Sequence, residues 1–269
     1  MVDTAANFSG SMPEYYDRIM APAQFDAFAA DLVGRLSTRP PGDVLEIACG
    51  TGVVTHRLRE RVDPRLRIVA SDLSKAMLDY ARNKLRGARD IEWREADAAA
   101  LPFKDATFGA VVCAFGVMFV PDKKAAFGEA RRVLQEGGLL LFNVWDGLEA
   151  NPHSRATNDV FEEMFPGDPE MRFRGPFEFN DRAVLTSLLA EARFRPLRME
   201  AVRLEIRCPS AREYATGQLK GTPRGALLER RAIPVDEIIE KCAAALARVG
   251  GEAPFRSTAQ ALVVEARAI

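Results

Sequence analysis

Residues 44–52, VLEIACGTG, constrain the fold of this chain more than any other stretch of its sequence. The run from Val44 to Ala48 is short and apolar, which predicts a buried strand, yet it carries the carboxylate of Glu46. A turn containing Gly50 and Gly52 follows, and the apolar spacing after it predicts a helix. A strand, a glycine turn and a helix together form a ligand-binding geometry, because glycines expose backbone and a helix start offers unpaired N–H groups.

Two kinds of cofactor are bound by turns of this kind. Dinucleotide enzymes carry GxGxxG, in which the third glycine lets the helix pack closely against the strand. Here the corresponding positions are Ala48, Gly50, Gly52 and Thr55, so the first and last glycines are missing in this register. With Glu46 on the strand, the segment resembles the first motif of the class I S-adenosylmethionine-dependent methyltransferases, in particular the branch containing the ubiquinone and menaquinone biosynthesis methyltransferases. The resemblance implies that the turn holds the methionine part of the cofactor and that Glu46 helps to position its ammonium group.

Carboxylates also follow two further predicted strands. Asp72 ends the strand RIVASD, about 20 residues after the glycine turn, where doubly wound folds place an acid that holds ribose hydroxyls. Asp97 follows the strand predicted at Ile91 to Ala96. Together with Glu46, these carboxylates follow three successive strands at one sheet edge, which favours a polar cofactor over three separate ion pairs. The resemblance implies that Asp97 accepts the adenine amino group.

The segment DATFGAVVCAFGVMFV resembles the fourth-strand motif of the same family, with Gly109 where the familiar form has Asp. The resemblance implies that its turn, Phe115 to Val120, lines the methyl-transfer centre and that Leu73 and Met77 flank the adenine ring. Matches to the family run in order from Val44 to Trp145. The predicted cofactor-binding residues are Tyr16, Glu46, Ala48, Gly50, Thr51, Gly52, Asp72, Leu73, Met77, Asp97, Ala98 and Phe115.

The resemblance implies an α/β fold with a doubly wound, seven-stranded and mostly parallel sheet, the Rossmann-like methyltransferase fold, carrying helical lid and cap insertions. Its last strand is expected to be antiparallel. Changes of pattern divide the chain into residues 1–40 as N-terminal cofactor-covering helices, 41–146 as the cofactor-binding core, 147–180 as a cap insertion, and 181–269 as the C-terminal part of the core with a helical insertion at about 209–250.

Two segments are candidates for covering the site. Tyr15 and Tyr16 precede a helix predicted at Ala21 to Leu36, and in relatives of this kind a leading Tyr often reaches the carboxylate end of the cofactor. Simple cover of the core is the alternative. Residues 147–180 combine bulky aromatic side chains with several prolines, which suits a cap over an apolar pocket. Ordinary packing on the domain surface is the equal alternative there.

Composition and charge argue against several other kinds of protein. A net charge of −1 and a pI near 6.2 do not indicate a nucleic-acid partner held by phosphate neutralisation. The four cysteines are scattered and only two histidines are present, so neither a disulfide framework nor a metal site is expected. No export signal and no run of about 20 apolar residues is visible, which predicts a cytoplasmic protein without a membrane span. The sequence indicates no oligomeric state.

These expectations converge on methyl transfer to a small molecule. The predicted reaction is in-line displacement from S-adenosylmethionine to an aromatic or lipophilic acceptor, with S-adenosylhomocysteine as the product. Orientation of two bound reactants can contribute about 7–11 kcal/mol, so no dedicated catalytic residue is required. Where the acceptor needs a general base, His153 is the candidate because it follows the fifth predicted strand, with a surface histidine as the alternative. A non-catalytic S-adenosylmethionine-binding protein and an NAD(P)-dependent oxidoreductase stay open as other functions.

Overall fold

The computed structural model describes residues 11–88 and 90–269, and in this part of the chain seven strands form one sheet. The strands are β1 Val44–Ile47, β2 Ile68–Asp72, β3 Ile91–Glu95, β4 Phe108–Ala114, β5 Leu134–Trp145, β6 Phe194–Cys208 and β7 Phe255–Ala268. Their order across the sheet is β3-β2-β1-β4-β5-β7-β6. The first five strands are parallel, and β7 runs antiparallel between β5 and β6. The predicted doubly wound, mostly parallel sheet is therefore confirmed.

Helices connect the strands and form the two insertions. They are α1 Met12–Tyr15, α2 Asp26–Gly34, α3 Val53–Arg61, α4 Lys75–Lys84, α5 Lys123–Val133, α6 Pro152–Met164, α7 Arg182–Glu191, α8 Ala211–Lys220, α9 Pro223–Arg230 and α10 Val235–Gly250. A π-helix, Tyr16–Phe25, joins α1 to α2, and short 3-10 turns occur at Val117–Phe119, Leu148–Ala150 and Gly175–Phe177. Among the helices of the described residues, none is long and apolar enough to cross a membrane.

The N-terminal helix differs from the one predicted at Ala21 to Leu36. The chain forms a π-helix as far as Phe25, and the regular α-helix begins only at Asp26. Pro22 lies inside the π-helix. Proline has no N–H to donate and its ring clashes with an α-helical carbonyl, so this position disfavours the continuous α-helix that the apolar spacing predicts.

Local capping signals explain where two of the helices begin. The Ser74 side chain accepts a hydrogen bond from Met77 N at 3.3 Å at the start of α4. The Asp181 carboxylate accepts from Ala183 N and Val184 N at 2.7 and 3.1 Å at the start of α7. Such side chains satisfy backbone donors that have no partner within the helix. The Ser74 cap thereby fixes the start of α4 just after the end of β2.

The carboxyl ends of the parallel strands meet at one edge, which the N-terminal segment and the second insertion cover together. A Cβ at Gly217 of α8 would lie 2.6 Å from the Ile19 side chain, and one at Gly221 would lie 2.8 Å from Tyr16 N. Both positions therefore need glycine for α8 to approach the π-helix closely. This contact places the end of α8 beside Tyr16, at the edge where the strands end.

Candidate cofactor and active site

A cavity of about 300 Å³ lies at this edge of the sheet. Its size is within the range of small-molecule sites. The ends of β1 to β5, the π-helix and both insertions contribute to its wall. The lining residues are Tyr16, Phe25, Ile47, Ala48, Gly50, Asp72, Leu73, Ser74, Met77, Ala96, Asp97, Ala98, Ala114, Phe115, Gly116, Met118, Phe119, Val120, Pro121, Trp145, Phe173, Pro176, Phe177, Gly221, Thr222 and Pro223.

Most of the predicted cofactor-binding residues line this one cavity, although they come from five separate segments of the chain. Those that do are Tyr16, Ala48, Gly50, Asp72, Leu73, Met77, Asp97, Ala98 and Phe115. The turn from Phe115 to Val120, predicted at the methyl-transfer centre, also contributes to the wall. The fold thus brings together groups that the sequence separates by about 100 positions.

The Asp72 carboxylate is fixed by backbone donors at the end of β2. Its Oδ2 accepts from Gly50 N and its Oδ1 accepts from Ser74 N, both at 2.8 Å. Burial raises the pKa of Asp72 above its ordinary value, while the backbone donors, including Leu73 N, act in the opposite direction. Gly50 has φ +54°, and a Cβ there would meet no atom within 4 Å. This position is therefore an open cradle on the wall of the cavity.

Tyr16, in the N-terminal π-helix, also lines the cavity. Its ring stacks on that of Phe25 with centroids 4.9 Å apart. Burial and the nearby carboxylates of Asp72 and Asp17 raise the pKa of the Tyr16 phenol, so it stays protonated at neutral pH. A protonated phenol near Asp72 is a hydrogen-bond donor available to a ligand.

Glu46 is not among the residues that line the cavity, and its role in positioning the ammonium group stays a prediction. Glu46 is 1% exposed, and its carboxylate accepts from the Thr55 hydroxyl of α3 at 2.5 Å. Burial raises the pKa of Glu46 to about 8, although its hydrogen bonds with Thr55 act in the opposite direction. The side chain reaches the first turn of α3 because residue 46 lies within β1 and not at its end.

Thr51 and Gly52 are also absent from the residues that line the cavity. Gly52 has φ +79° at the start of α3, and a Cβ there would lie 3.0 Å from Leu85 Cδ1 and 3.2 Å from Ala81 Cβ. Gly52 therefore allows a close approach to α4. Thr51 is 1% exposed, and its hydroxyl has no hydrogen-bond partner among the described residues.

Cys49 lies in the same turn and is buried. Burial raises the pKa of its thiol well above the ordinary value, and the carboxylates of Glu46 and Asp72 act in the same direction. A thiol that stays protonated is a poor nucleophile. Cys49 is therefore a packing residue.

The predicted general base, His153, does not lie on the wall of the cavity. It is 1% exposed in the first turn of α6, and its Nδ1 lies 3.1 Å from the backbone oxygen of Thr258. Because a carbonyl only accepts, Nδ1 carries the proton and donates it. Burial lowers the pKa of His153 to about 4. Pro152 starts a helix that directs the imidazole toward β7, so the position after the fifth strand does not make it a base.

An aromatic wall lines the same cavity, and its Trp145 is the member that sequence reasoning missed. The rings of Phe115 and Trp145 stack with centroids 3.9 Å apart, and Trp145 also stacks with Phe177 at 6.3 Å. Phe115 has φ +54°, and its N–H donates to Asn143 Oδ1 at 2.9 Å. An aromatic residue at the carboxyl end of β5 is the one sequence signal that could have indicated Trp145.

The two insertions complete this wall. Residues 147–180 contribute Phe173, Pro176 and Phe177, which is the arrangement expected of a cap. The second insertion contributes Gly221, Thr222 and Pro223, which sequence reasoning missed because that segment shows only helical spacing. We refer to these six residues as the cap side of the cavity.

A family model described as a methyltransferase domain matches residues 44–138. The match begins with β1 and ends at Gly138 within β5, so it contains the glycine turn and both cavity carboxylates. The cap side lies outside the matched segment.

Curated relatives match a similar share of the chain. The ubiquinone/menaquinone biosynthesis C-methyltransferase UbiE of Hahella chejuensis is 41% identical over 112 residues, which cover 40% of this chain and 45% of that relative. The demethylmenaquinone methyltransferase of Deinococcus radiodurans is 45% identical over 103 residues, covering 38% and 42%. The chain thus spans less than half the length of these relatives. The predicted resemblance to class I S-adenosylmethionine-dependent methyltransferases of this branch is confirmed over the matched residues.

Solved structures share the fold over a larger part of the chain. Geranyl diphosphate methyltransferase, solved with S-adenosylmethionine, superposes with a TM-score of 0.53 at 19% identity and covers 100% of this chain and 96% of its own. A S-adenosylmethionine-dependent methyltransferase of Aquifex aeolicus gives 0.52 at 17% identity, covering 70% and 90%. Both of these structures are named for S-adenosylmethionine, the cofactor predicted for this chain.

Proposed function

We propose that this chain binds S-adenosylmethionine in the cavity and transfers its methyl group to a small aromatic or lipophilic acceptor, releasing S-adenosylhomocysteine. One observation carries the proposal: a single cavity combines the carboxylates of Asp72 and Asp97 with a wall of stacked aromatic side chains. The bound cofactor supplies an electrophilic methyl group on a positively charged sulfur. The side chains of the chain bind and orient the two reactants.

The cofactor is assigned to the side of the cavity formed by β1, β2 and β3. Asp72 is a preorganised acceptor for ribose hydroxyls, because two backbone N–H groups already hold its orientation. Leu73 and Met77 offer apolar surface for the adenine, with Asp97 as acceptor for its amino group. Gly50 leaves room for the methionine part, since no side chain occupies its cradle. The acceptors and apolar surface on this side of the cavity are thus of the kind that S-adenosylmethionine needs.

The acceptor is assigned to the aromatic wall and the cap side. Among the described residues that line the cavity, the carboxylates of Asp72 and Asp97 and the Tyr16 phenol are the titratable side chains. All three are assigned to the cofactor. The aromatic wall and the cap side therefore orient the acceptor and exclude water, and they supply no general base. Positioning of this kind can contribute about 7–11 kcal/mol to lowering the barrier.

The names of the relatives make quinone-type rings the first acceptors to examine. A flat ring system would pack against the exposed edges of the aromatic wall that Phe115, Trp145 and Phe177 form by stacking on one another. The family model nevertheless ends at Gly138, before Trp145 and the cap side. The identity of the acceptor therefore depends on residues outside the matched segment.

Calorimetry followed by a transfer assay tests the proposal. We expect saturable binding of S-adenosylmethionine and S-adenosylhomocysteine, no binding of NADH, and methyl transfer from radiolabelled cofactor to at least one member of a panel of hydroquinones, phenols and aromatic acids. Absence of binding to either sulfur compound contradicts the cofactor assignment. Binding without transfer to any acceptor would leave a non-catalytic binding protein, and NADH binding would favour an oxidoreductase.

A further inference from the structure

Arg224 is a buried cation in the second insertion without a counter-charge. It is 5% exposed at the second position of α9, and in residues 11–88 and 90–269 no Asp or Glu forms an ion pair with it. Its Nη1 donates to Thr157 Oγ1 at 3.2 Å and its Nη2 donates to Asn158 Oδ1 at 2.7 Å. Its Nε is buried and has no acceptor among these residues.

Burial of an unpaired cation is unfavourable, and the surroundings of Arg224 compensate only part of that cost. Its guanidinium carbon lies 4.6 Å from the ring centre of Phe161 and 5.0 Å from that of Phe173. These rings attract a cation but carry no net negative charge. Burial lowers the pKa of Arg224 to about 10, so it remains positively charged at neutral pH.

Arg224 does not itself line the cavity, but it lies behind residues of the cap side that do. Phe173, whose ring contacts the guanidinium, lines the cavity, and so does Pro223, which directly precedes Arg224. Helix α9 begins at Pro223, so its N-terminal end, which carries partial positive charge, lies at the same wall. The Thr222 side chain does not cap this end, because its hydroxyl donates to Gln218 O at 2.6 Å. An uncapped helix start and an unpaired guanidinium therefore coincide at the cap side.

We infer that the cap side takes an acceptor whose apolar ring system carries an anionic oxygen group such as a carboxylate, and that Arg224 determines this preference. The inference deepens the proposed function and rests on it. The acceptor supplies the negative charge that the protein lacks at this position, and the ring occupies the aromatic wall. Neutral analogues of the same shape leave Arg224 uncompensated and bind more weakly.

The experiment uses Trp145 as the reporter. The chain has two tryptophans, so Trp93→Phe leaves Trp145, on the cavity wall, as the only one. Quenching of its fluorescence is titrated with 2-naphthoate and with the neutral probe 2-naphthalenemethanol. Saturating S-adenosylhomocysteine is present because it lacks the positive charge of the sulfonium. We expect 2-naphthoate to bind about tenfold more tightly than 2-naphthalenemethanol. This is the effect of a charge pair at roughly 10 Å in a medium of intermediate dielectric.

Three variants in this background assign the preference to Arg224. Arg224→Met should abolish it while changing affinity for the neutral probe less than about twofold, and Arg224→Lys should retain it because the positive charge stays. Arg230→Met, which removes an exposed charge from the same helix, is the matched control and should retain it. Survival of the preference in Arg224→Met overturns the inference.

Two further measurements separate the inference from its premises. Equal affinity of the Trp93→Phe protein for the two probes overturns the inference without any Arg224 variant, so a variant that fails to fold does not protect it. Calorimetric titration of the same protein with S-adenosylhomocysteine tests the cofactor assignment independently. Where that binding is absent, the proposed function fails, and the probe comparison without S-adenosylhomocysteine still decides whether the cap side prefers an anion.

Discussion

Gly50 donates its backbone N–H to the Asp72 carboxylate at 2.8 Å, which joins the turn after β1 to the end of β2. Ser74 N donates to the other carboxylate oxygen at the same distance, at the start of α4. One side chain thus links three elements that meet at the cavity. Because the carboxylate is held in place before a ligand arrives, little of its conformational freedom remains to be lost on binding.

Asp72→Ala should weaken binding of S-adenosylhomocysteine by about 1–3 kcal/mol, the contribution of a charge-assisted hydrogen bond. It should also lower the unfolding temperature, because Gly50 N and Ser74 N lose their acceptor. Calorimetric titration measures the first effect and thermal unfolding the second. Glu95→Ala, which removes an exposed carboxylate from the end of β3, is the control. Equal affinities of the Asp72→Ala and wild-type proteins would show that the ribose is held elsewhere.

The carboxyl edge of the sheet could be predicted because its residues are specified by neighbours in the sequence. Asp72 ends β2 and Asp97 lies two residues after β3, and a strand end determines which edge a residue occupies. Gly50 follows β1 in the same way. Each of these positions depends on one strand and one turn, so a single motif is sufficient to place it.

The remaining parts of the site depend on contacts between distant segments. Pro223 reaches the cavity only because Gly217 and Gly221 let α8 approach the π-helix, a contact that no local pattern encodes. The prediction that His153 lies at the site depends on local sequence alone. Its position after β5 predicts the active edge, but the direction of α6 turns its ring into the core. Helix direction after a strand is set by tertiary packing, which spacing along the chain does not reveal.

Gly50→Val should abolish measurable binding of S-adenosylhomocysteine while the protein stays folded, because the side chain would enter the open cradle on the cavity wall. The left-handed backbone adds about 1–2 kcal/mol of strain, since φ is +54°. Gly137→Val is a matched control: Gly137 also has positive φ, a Cβ there would also meet open space, and it does not line the cavity. Calorimetry on both folded variants distinguishes steric block from backbone strain. Loss of binding in both would point to strain alone.

Glu46→Gln should stabilise the protein increasingly as pH rises. Burial raises the pKa of Glu46 from 4.5 to about 8, so between these values the folded chain binds more protons than the unfolded chain. The free energy of unfolding of the wild type therefore falls through this window, by at most about 1.4 kcal/mol for each pH unit between the two pKa values. Gln keeps an acceptor for the Thr55 hydroxyl and does not titrate.

Urea unfolding of both proteins at about pH 5, 7 and 9 measures the difference that Glu46 makes. Glu95→Gln removes an exposed carboxylate and serves as the control for loss of one negative charge. A stability difference between wild type and Glu46→Gln that stays constant over the range would mean that Glu46 is charged in the folded protein at neutral pH.

His153→Gln should leave methyl transfer and its pH profile unchanged per folded molecule, because the imidazole does not line the cavity. It should cost about 1–3 kcal/mol of stability at neutral pH through the hydrogen bond to Thr258 O and the packing on Tyr214. Burial lowers the pKa of His153 from 6.5 to about 4, so between these values the unfolded chain binds more protons. Wild-type stability is therefore lost as pH falls through this window, so the difference in free energy of unfolding between the wild type and His153→Gln should be smaller at about pH 4.5 than at neutral pH.

Urea unfolding at neutral and acidic pH and initial rates across the pH range measure these effects. Loss of activity in a folded His153→Gln protein would instead restore the imidazole as the general base.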